Sequence, residues 1–258
     1  MKKKNLFIIV LILLTFIPAT IPFASEVIPD KEYDWYFVPR VLHKTPEPPK
    51  ESASILKDTD SYFVGDTDNK VLYLTFDEGY EKGNTGNILD TLKELEVPAA
   101  FFVVKPFITT EPELIKRMVD EGHLVCNHSS HHPSMPSITD TAKFNSELTD
   151  VEEAYKNIIG QDMPRFFRPP MGKYSKNSLI KTKELGYKTI FWSFAYKDWL
   201  VNSQPDEKTA IEKIEKGAHP GAILLLHAVS DTNTKILKTV LSDLKEEGYE
   251  FKSLNDLP

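Results

Sequence analysis

Val71-Leu72-Tyr73-Leu74-Thr75-Phe76 runs directly into Asp77-Glu78-Gly79. A short apolar run of this length, rich in β-branched and aromatic residues and closed by a turn signal, reads as a buried strand. Behind it, Ile88, Leu89, Leu92 and Leu95 recur at helical spacing over 88–95, so strand and helix form one unit. The alternation continues outward. Ala99 to Val104 reads as a strand, Glu113 to Val119 as a helix closed by Gly122, His123 to Cys126 as a third strand, and Thr139 to Ile159 as a longer helix. Phe166-Phe167-Arg168 precedes a turn; Leu179 to Leu185 reads as a helix stopped by Gly186, and Tyr187 to Phe194 has strand composition. Asp206 to Lys216 (helix), Ala222 to Leu226 (buried strand), Thr234 to Glu247 (helix ended by Gly248) and Phe251 (short closing strand) complete the series. Alternating strands and helices predict an α/β fold with a parallel sheet, and this succession suits a barrel.

The 258 residues carry 31 Lys and Arg against 38 Asp and Glu, a formal net charge of -7. An acidic chain of this size accommodates one catalytic core and argues against nucleic acid or anionic lipid as partner, since both select a basic face. Lys2-Lys3-Lys4 followed by the apolar run Leu6 to Leu14 has the form of an export signal over residues 1–25. It is either cleaved near Ala24-Ser25 or retained as an anchor, and in both cases the domain is exported and faces outward. Residues 26–60 hold Thr45-Pro46-Glu47-Pro48-Pro49-Lys50, whose fixed φ angles favour an extended lead-in arm. The catalytic domain is expected over 61–258. The single cysteine, Cys126, excludes an internal disulfide and thiolate zinc clusters, and its apolar neighbours mark it as a buried small residue.

In parallel βα architectures functional groups gather at the C-terminal ends of strands. Asp77-Glu78, the pair His128 and His132, Arg168, Asp198 and His227 all fall at such ends. His128 and His132 are four apart, so one helical turn would bring both imidazoles to one side. With one carboxylate from Asp77 or Glu78 they would form a two-histidine, one-carboxylate site for a divalent ion. By position His227 reads either as a satisfied core histidine or as a proton donor, with Asp198 beside Trp199 available to charge it.

Taken together, Thr75-Phe76-Asp77-Glu78-Gly79, His128-Ser129-Ser130-His131-His132, Arg168-Pro169-Pro170-Met171-Gly172, Asp198-Trp199 and Leu225-Leu226-His227 resemble the five motifs of the polysaccharide deacetylase family, carbohydrate esterase family 4 or NodB-homology domain. The resemblance covers most of residues 60 to 258. It implies a distorted (β/α) barrel and hydrolysis of an acetamide on an amino sugar. Carried over residue by residue, it makes Asp77 the base, His227 the acid, Asp198 the partner of His227 and Arg168 the partner of Asp77. One divalent metal ion of the Zn, Co or Mn type would be held by Glu78, His128 and His132. The Met171 N–H would bind the oxyanion, and Trp199 and Leu225 would wall the acetyl pocket.

Two departures stand out: Glu78 replaces the usual second aspartate, and Tyr80-Glu81 replaces the usual proline after the glycine. Met171 also stands where many members carry an aromatic residue. Asp-Glu-Gly-Tyr-Glu, Val64-Gly65-Asp66-Thr67 and Trp35-Tyr36-Phe37 resemble the muramic acid deacetylases of spore-forming bacteria. That implies peptidoglycan glycan strands as partner, with peptide-free muramic acid as the acetylated sugar and muramic δ-lactam of spore cortex as the eventual product. The alternatives are an N-acetylglucosamine deacetylase of peptidoglycan or chitin, an acetylxylan esterase, and a wall-glycan-binding protein with a decayed site.

Overall fold

The computed structural model describes residues 30–40 and 43–258; the export segment expected over 1–25 lies outside the described residues. In chain order the elements are β1 (Tyr33–Asp34), α1 (Ala53–Asp58), β2 (Ser61–Tyr62), β3 (Val71–Glu78), α2 (Thr85–Glu94) and β4 (Ala99–Val103). There follow α3 (Lys105–Thr110), α4 (Pro112–Asp120), β5 (Leu124–Asn127), α5 (Thr141–Ile159), β6 (Phe166–Phe167), β7 (Lys173–Tyr174) and α6 (Lys176–Glu184). The chain closes with β8 (Lys188–Ile190), α7 (Glu207–Gly217), β9 (Ala222–His227), α8 (Asp231–Glu246) and β10 (Glu250–Phe251).

The main sheet is parallel. β3 lies between β4 and β9, and β5, β6, β8 and β2 follow in order from β4. A parallel bridge from Phe194 to Leu224 brings the segment after β8 onto β9, so the sheet curls round and meets itself as a distorted barrel. This join explains why Tyr187 to Phe194 is not one strand. The N–H groups of Ser193 and Phe194 both turn to Ile223 O, leaving β8 only three residues long.

Strand parity sorts the core into two layers. Leu72, Leu74 and Phe76 pack outward with Ile88, Leu89 and Leu92 of α2 and Ile236, Leu237 and Val240 of α8. Val71 and Tyr73 point inward with Ala100, Phe102, Cys126, Ile190 and Ile223. Cys126 is fully buried, and burial pushes its thiol pKa up, which suits a packing role. By the same parity, Asp77 belongs to the barrel interior and Glu78 to the helix layer.

The arm is packed rather than extended away as a linker. β1 pairs antiparallel with β7, and Trp35 is buried, stacked on Phe191 at 4.3 Å with its indole N–H donating to Trp192 O. The proline-rich stretch folds back as well, bridging Glu47 to Val38 before α1 begins. Nothing in the local proline chemistry reports this, because the partners that β1 and Trp35 find on β7, Phe191 and Trp192 lie well over a hundred residues away.

Candidate active site

Asp77 is the penultimate residue of β3, and its Cα partner across the β3–β9 ladder is His227. The two side chains therefore leave neighbouring strands at the same level. Asp77 Oδ1 accepts from Arg168 Nη1 at 2.7 Å. Arg168 is fully buried, with Nε donating to Ile190 O and its guanidinium 4.1 Å from the Phe102 ring centroid. Burial pushes the Asp77 pKa upward, but the charge of Arg168, helped by His128 and His227, outweighs it and the carboxyl sits below its usual value. Asp77 is thus ionised at neutral pH although largely buried.

His227 is oriented from the other side. Asp198, itself buried, takes the His227 ring at Nδ1 (2.7 Å) with one oxygen. Its second oxygen accepts the His227 backbone N–H (2.9 Å) and the Asn233 side-chain amide (2.6 Å). With Nδ1–H given to Asp198, Nε2 is the nitrogen left to exchange a proton with a substrate. Burial lowers the imidazole pKa, yet the hydrogen bond and charge of Asp198 and the charge of Asp77 reverse this and leave it raised. Asn233, on the first turn of α8, fixes Asp198 and was invisible in sequence because it lies 35 residues away.

His128 and His132 do come together, with ring centroids 4.9 Å apart, but no helical turn joins them. Residues 128–132 form a loop in which Ser129 and His132 adopt φ of 68° and 57°. The His128 N–H donates to Val103 O, and side chains satisfy the amides of the next four residues. Asn127 Oδ1 accepts from Ser129 N, Glu147 Oε2 from Ser130 N and His131 N, and Ser129 Oγ from His132 N. Glu147 also binds the exposed His131 ring at 2.8 Å, so that imidazole is spent on loop structure. His128 Nδ1 lies 2.8 Å from Arg168 O, leaving Nε2 3.6 Å from Asp77 Oδ2. Burial lowers the His128 pKa to about 4 and also lowers that of His132, so both are neutral at pH 7.

Neutral imidazoles with Nε2 free suit a cation, but Glu78 does not complete the expected set. Its carboxyl is fully buried in the helix layer, where Oε1 accepts from Thr85 Oγ1 at 3.2 Å and Oε2 has no partner. Burial first, and then the charge of Glu81, raise its pKa well above the usual carboxylate value. Glu81 is there because its Oε1 caps the start of α2, accepting from Gly83 N, Asn84 N and Thr85 N. Among the described residues no three His, Cys, Asp or Glu side chains converge to hold a metal ion. The three-ligand site of Glu78, His128 and His132 is therefore corrected to a histidine pair whose nearest carboxylate is Asp77.

Of the expected pocket residues, Leu225 is buried on β9, and its N–H donates to Phe194 O. Trp199 is 47% exposed with its ring 5.3 Å from that of His227. Gln204 holds the Trp199 loop, donating to Asp198 O and Leu200 O while accepting from Ser230 Oγ. Met171 is 53% exposed, with φ of 58° that non-glycine residues rarely adopt.

A family model described as polysaccharide deacetylase matches residues 64–190. The peptidoglycan-N-acetylmuramic acid deacetylase PdaA of Bacillus subtilis is 43% identical over 233 residues, spanning 90% of this chain and 88% of its own. The solved structure of Bacillus subtilis PdaA, a family 4 carbohydrate esterase, aligns with a TM-score of 0.86 over 89% of this chain and 98% of that one, at 43% identity. A family 4 carbohydrate esterase from Bacillus anthracis aligns with a TM-score of 0.74 at 41% identity, covering 88% and 96%. The chain belongs to the polysaccharide deacetylase family, a family of hydrolases that act on acetylated sugars.

Proposed function

We propose that the chain is an exported peptidoglycan N-acetylmuramic acid deacetylase in which Asp77 is the base and His227 the acid. The carrying observation is that these two groups leave paired positions on β3 and β9, each locked by a buried partner of opposite charge. An ionised carboxylate and an imidazole whose protonated form is favoured by its own carboxylate are the two proton-transfer partners that amide hydrolysis needs.

The steps follow from the protonation states. Asp77 takes a proton from water as the oxygen attacks the acetamide carbonyl, and Arg168 keeps the carboxylate ionised and aimed. Charge builds on the former carbonyl oxygen, for which the Met171 N–H is the nominated donor. The carbon–nitrogen bond then breaks as His227 Nε2 gives its proton to the departing amine, while Asp198 stabilises the imidazolium beforehand. Acetate and a free sugar amine leave. Trp199 and Leu225 wall the acetyl methyl, which limits the acyl group by size. All these proton-transfer groups being in place argues against a wall-binding protein with a decayed site.

Muramic acid is supported by the 43% identity to a relative named for that sugar. Export rests on the Lys2-Lys3-Lys4 and apolar pattern of the sequence, and a place in forming spore-cortex δ-lactam rests on the muramic substrate. Incubation with peptide-free and peptide-bearing glycan, followed by mass spectrometry, tests the substrate. Free amine on peptide-free muramic acid is expected; free amine only on glucosamine would replace this reading with the glucosamine one.

A further inference from the structure

Two loops of the site carry residues in strained backbone conformations. His132 and Met171 both have left-handed φ values of 57° and 58°. Such conformations persist only where surrounding structure over-determines them, and they relax when that support goes. For the loop after His132 the outer support arrives from an unexpected direction, the N-terminal arm.

Glu32 is one residue before β1 and reaches both loops at once. Ser134 Oγ, two residues beyond His132, and Lys173 Nζ, two residues beyond Met171, each stand 2.5 Å from a Glu32 carboxylate oxygen. The arm that carries Glu32 is fixed independently of this contact. Tyr33 and Asp34 pair with Tyr174 and Lys173, Trp35 N donates to Gly172 O at 2.8 Å, and Asp30 accepts from Ser175 Oγ and Asn177 N. Trp35 Cβ also lies against the site where a Cβ on Gly172 would be, at 3.2 Å, so the glycine after Met171 is pressed between the arm and Trp192.

We propose that Glu32 is a positioning residue for deacetylation, a carboxylate clip that sets the distance between the His128–His132 loop and the Met171 loop. The inference rests on the deacetylase reading and adds that the arm is part of the working site. An ion pair this exposed contributes little to global stability, because water and salt screen it and two long side chains must be ordered. Its effect therefore belongs to geometry, where a displacement of an ångström at the oxyanion donor or at His132 is costly to rate.

The test is kinetic, with deacetylation of peptide-free glycan as the readout. Glu32→Ala and the isosteric Glu32→Gln are expected to lower kcat by about tenfold, with KM changed less than kcat and the melting temperature unchanged. Glu32→Lys and Lys173→Glu alone should each lose activity. Combined, they restore the ion pair with its sign reversed, and Ser134 Oγ can accept from the new lysine, so kcat should recover to within about threefold of wild type. Wild-type kcat in Glu32→Ala, or a double variant no better than the weaker single one, would overturn the clip. An inactive wild-type protein would instead remove the deacetylase reading itself.

Discussion

Asp77 and His227 face each other across the β3–β9 ladder as paired residues, although 150 positions separate them in the chain. A buried neighbour favours the charged form of each, Arg168 for the carboxylate and Asp198 for the imidazole. Two groups on adjacent strands whose environments push their pKa values apart are a base and an acid ready at one pH.

The first consequence is a pH profile. His227 acts while protonated, and its pKa is raised above 6.5, so the alkaline limb of kcat/KM should lie above that value. Replacing Asp198 by Asn removes the charge that raises it. The alkaline limb should then move to lower pH and the rate fall by about 10²- to 10⁴-fold. A pH–rate profile of both proteins checks this; an unmoved limb would separate His227 from the proton transfer.

Arg168 carries the complementary effect on the acidic side. Asp77 has a depressed pKa in the fold, so the stability it contributes is full above pH 3.8 and is lost as pH falls through the folded value. Arg168→Met leaves the buried carboxylate unpaired, raising its pKa and moving the acidic limb of activity upward. Breaking a buried pair in this way is expected to cost about 3–5 kcal/mol in denaturant unfolding.

Glu78 should behave in the opposite sense. Its folded pKa is raised, so its stability contribution is complete below 4.5 and declines as pH rises toward the folded value. Glu78→Gln mimics the neutral acid. Its melting temperature should gain on wild type progressively above pH 4.5, with calorimetric affinity for Zn, Co or Mn unchanged. A marked loss of metal affinity in this variant would return Glu78 to the histidine pair.

Trp35 tests the packing of the arm. Replacing it with Ala removes a buried indole stacked on Phe191 and should destabilise the fold by about 3–5 kcal/mol. Thermal or urea unfolding reads this directly, and a neutral result would make the arm a detachable linker.

The strands that carry Asp77 and His227, and the one that leads into Arg168, were legible because apolar runs ending in a polar residue report a buried strand and its exit together, whereas Asp198 sits in the loop beyond β8. Glu78 was misplaced although the same run held the correction. Asp77 and Glu78 are consecutive, a strand sends consecutive side chains to opposite faces, and Leu72, Leu74 and Phe76 share the parity of Glu78. His128 and His132 were correctly paired for the wrong reason, since a loop capped by Asn127, Ser129 and Glu147 brings them together without a helical turn. Asn233, Glu147 and the arm's Glu32 gave no local signal. Their partners are 16 to 141 residues distant, and only the closed barrel brings them near.

The most direct test of the base and acid assignment is acetate release, with parallel detection of free sugar amine, from peptide-free muramic glycan by wild type and by Asp77→Asn. Asn keeps the shape of the side chain and removes its basicity. Equal amounts of acetate and amine from wild type, and neither from a folded Asp77→Asn protein, are expected. A folded Asp77→Asn variant with wild-type turnover would contradict the mechanism.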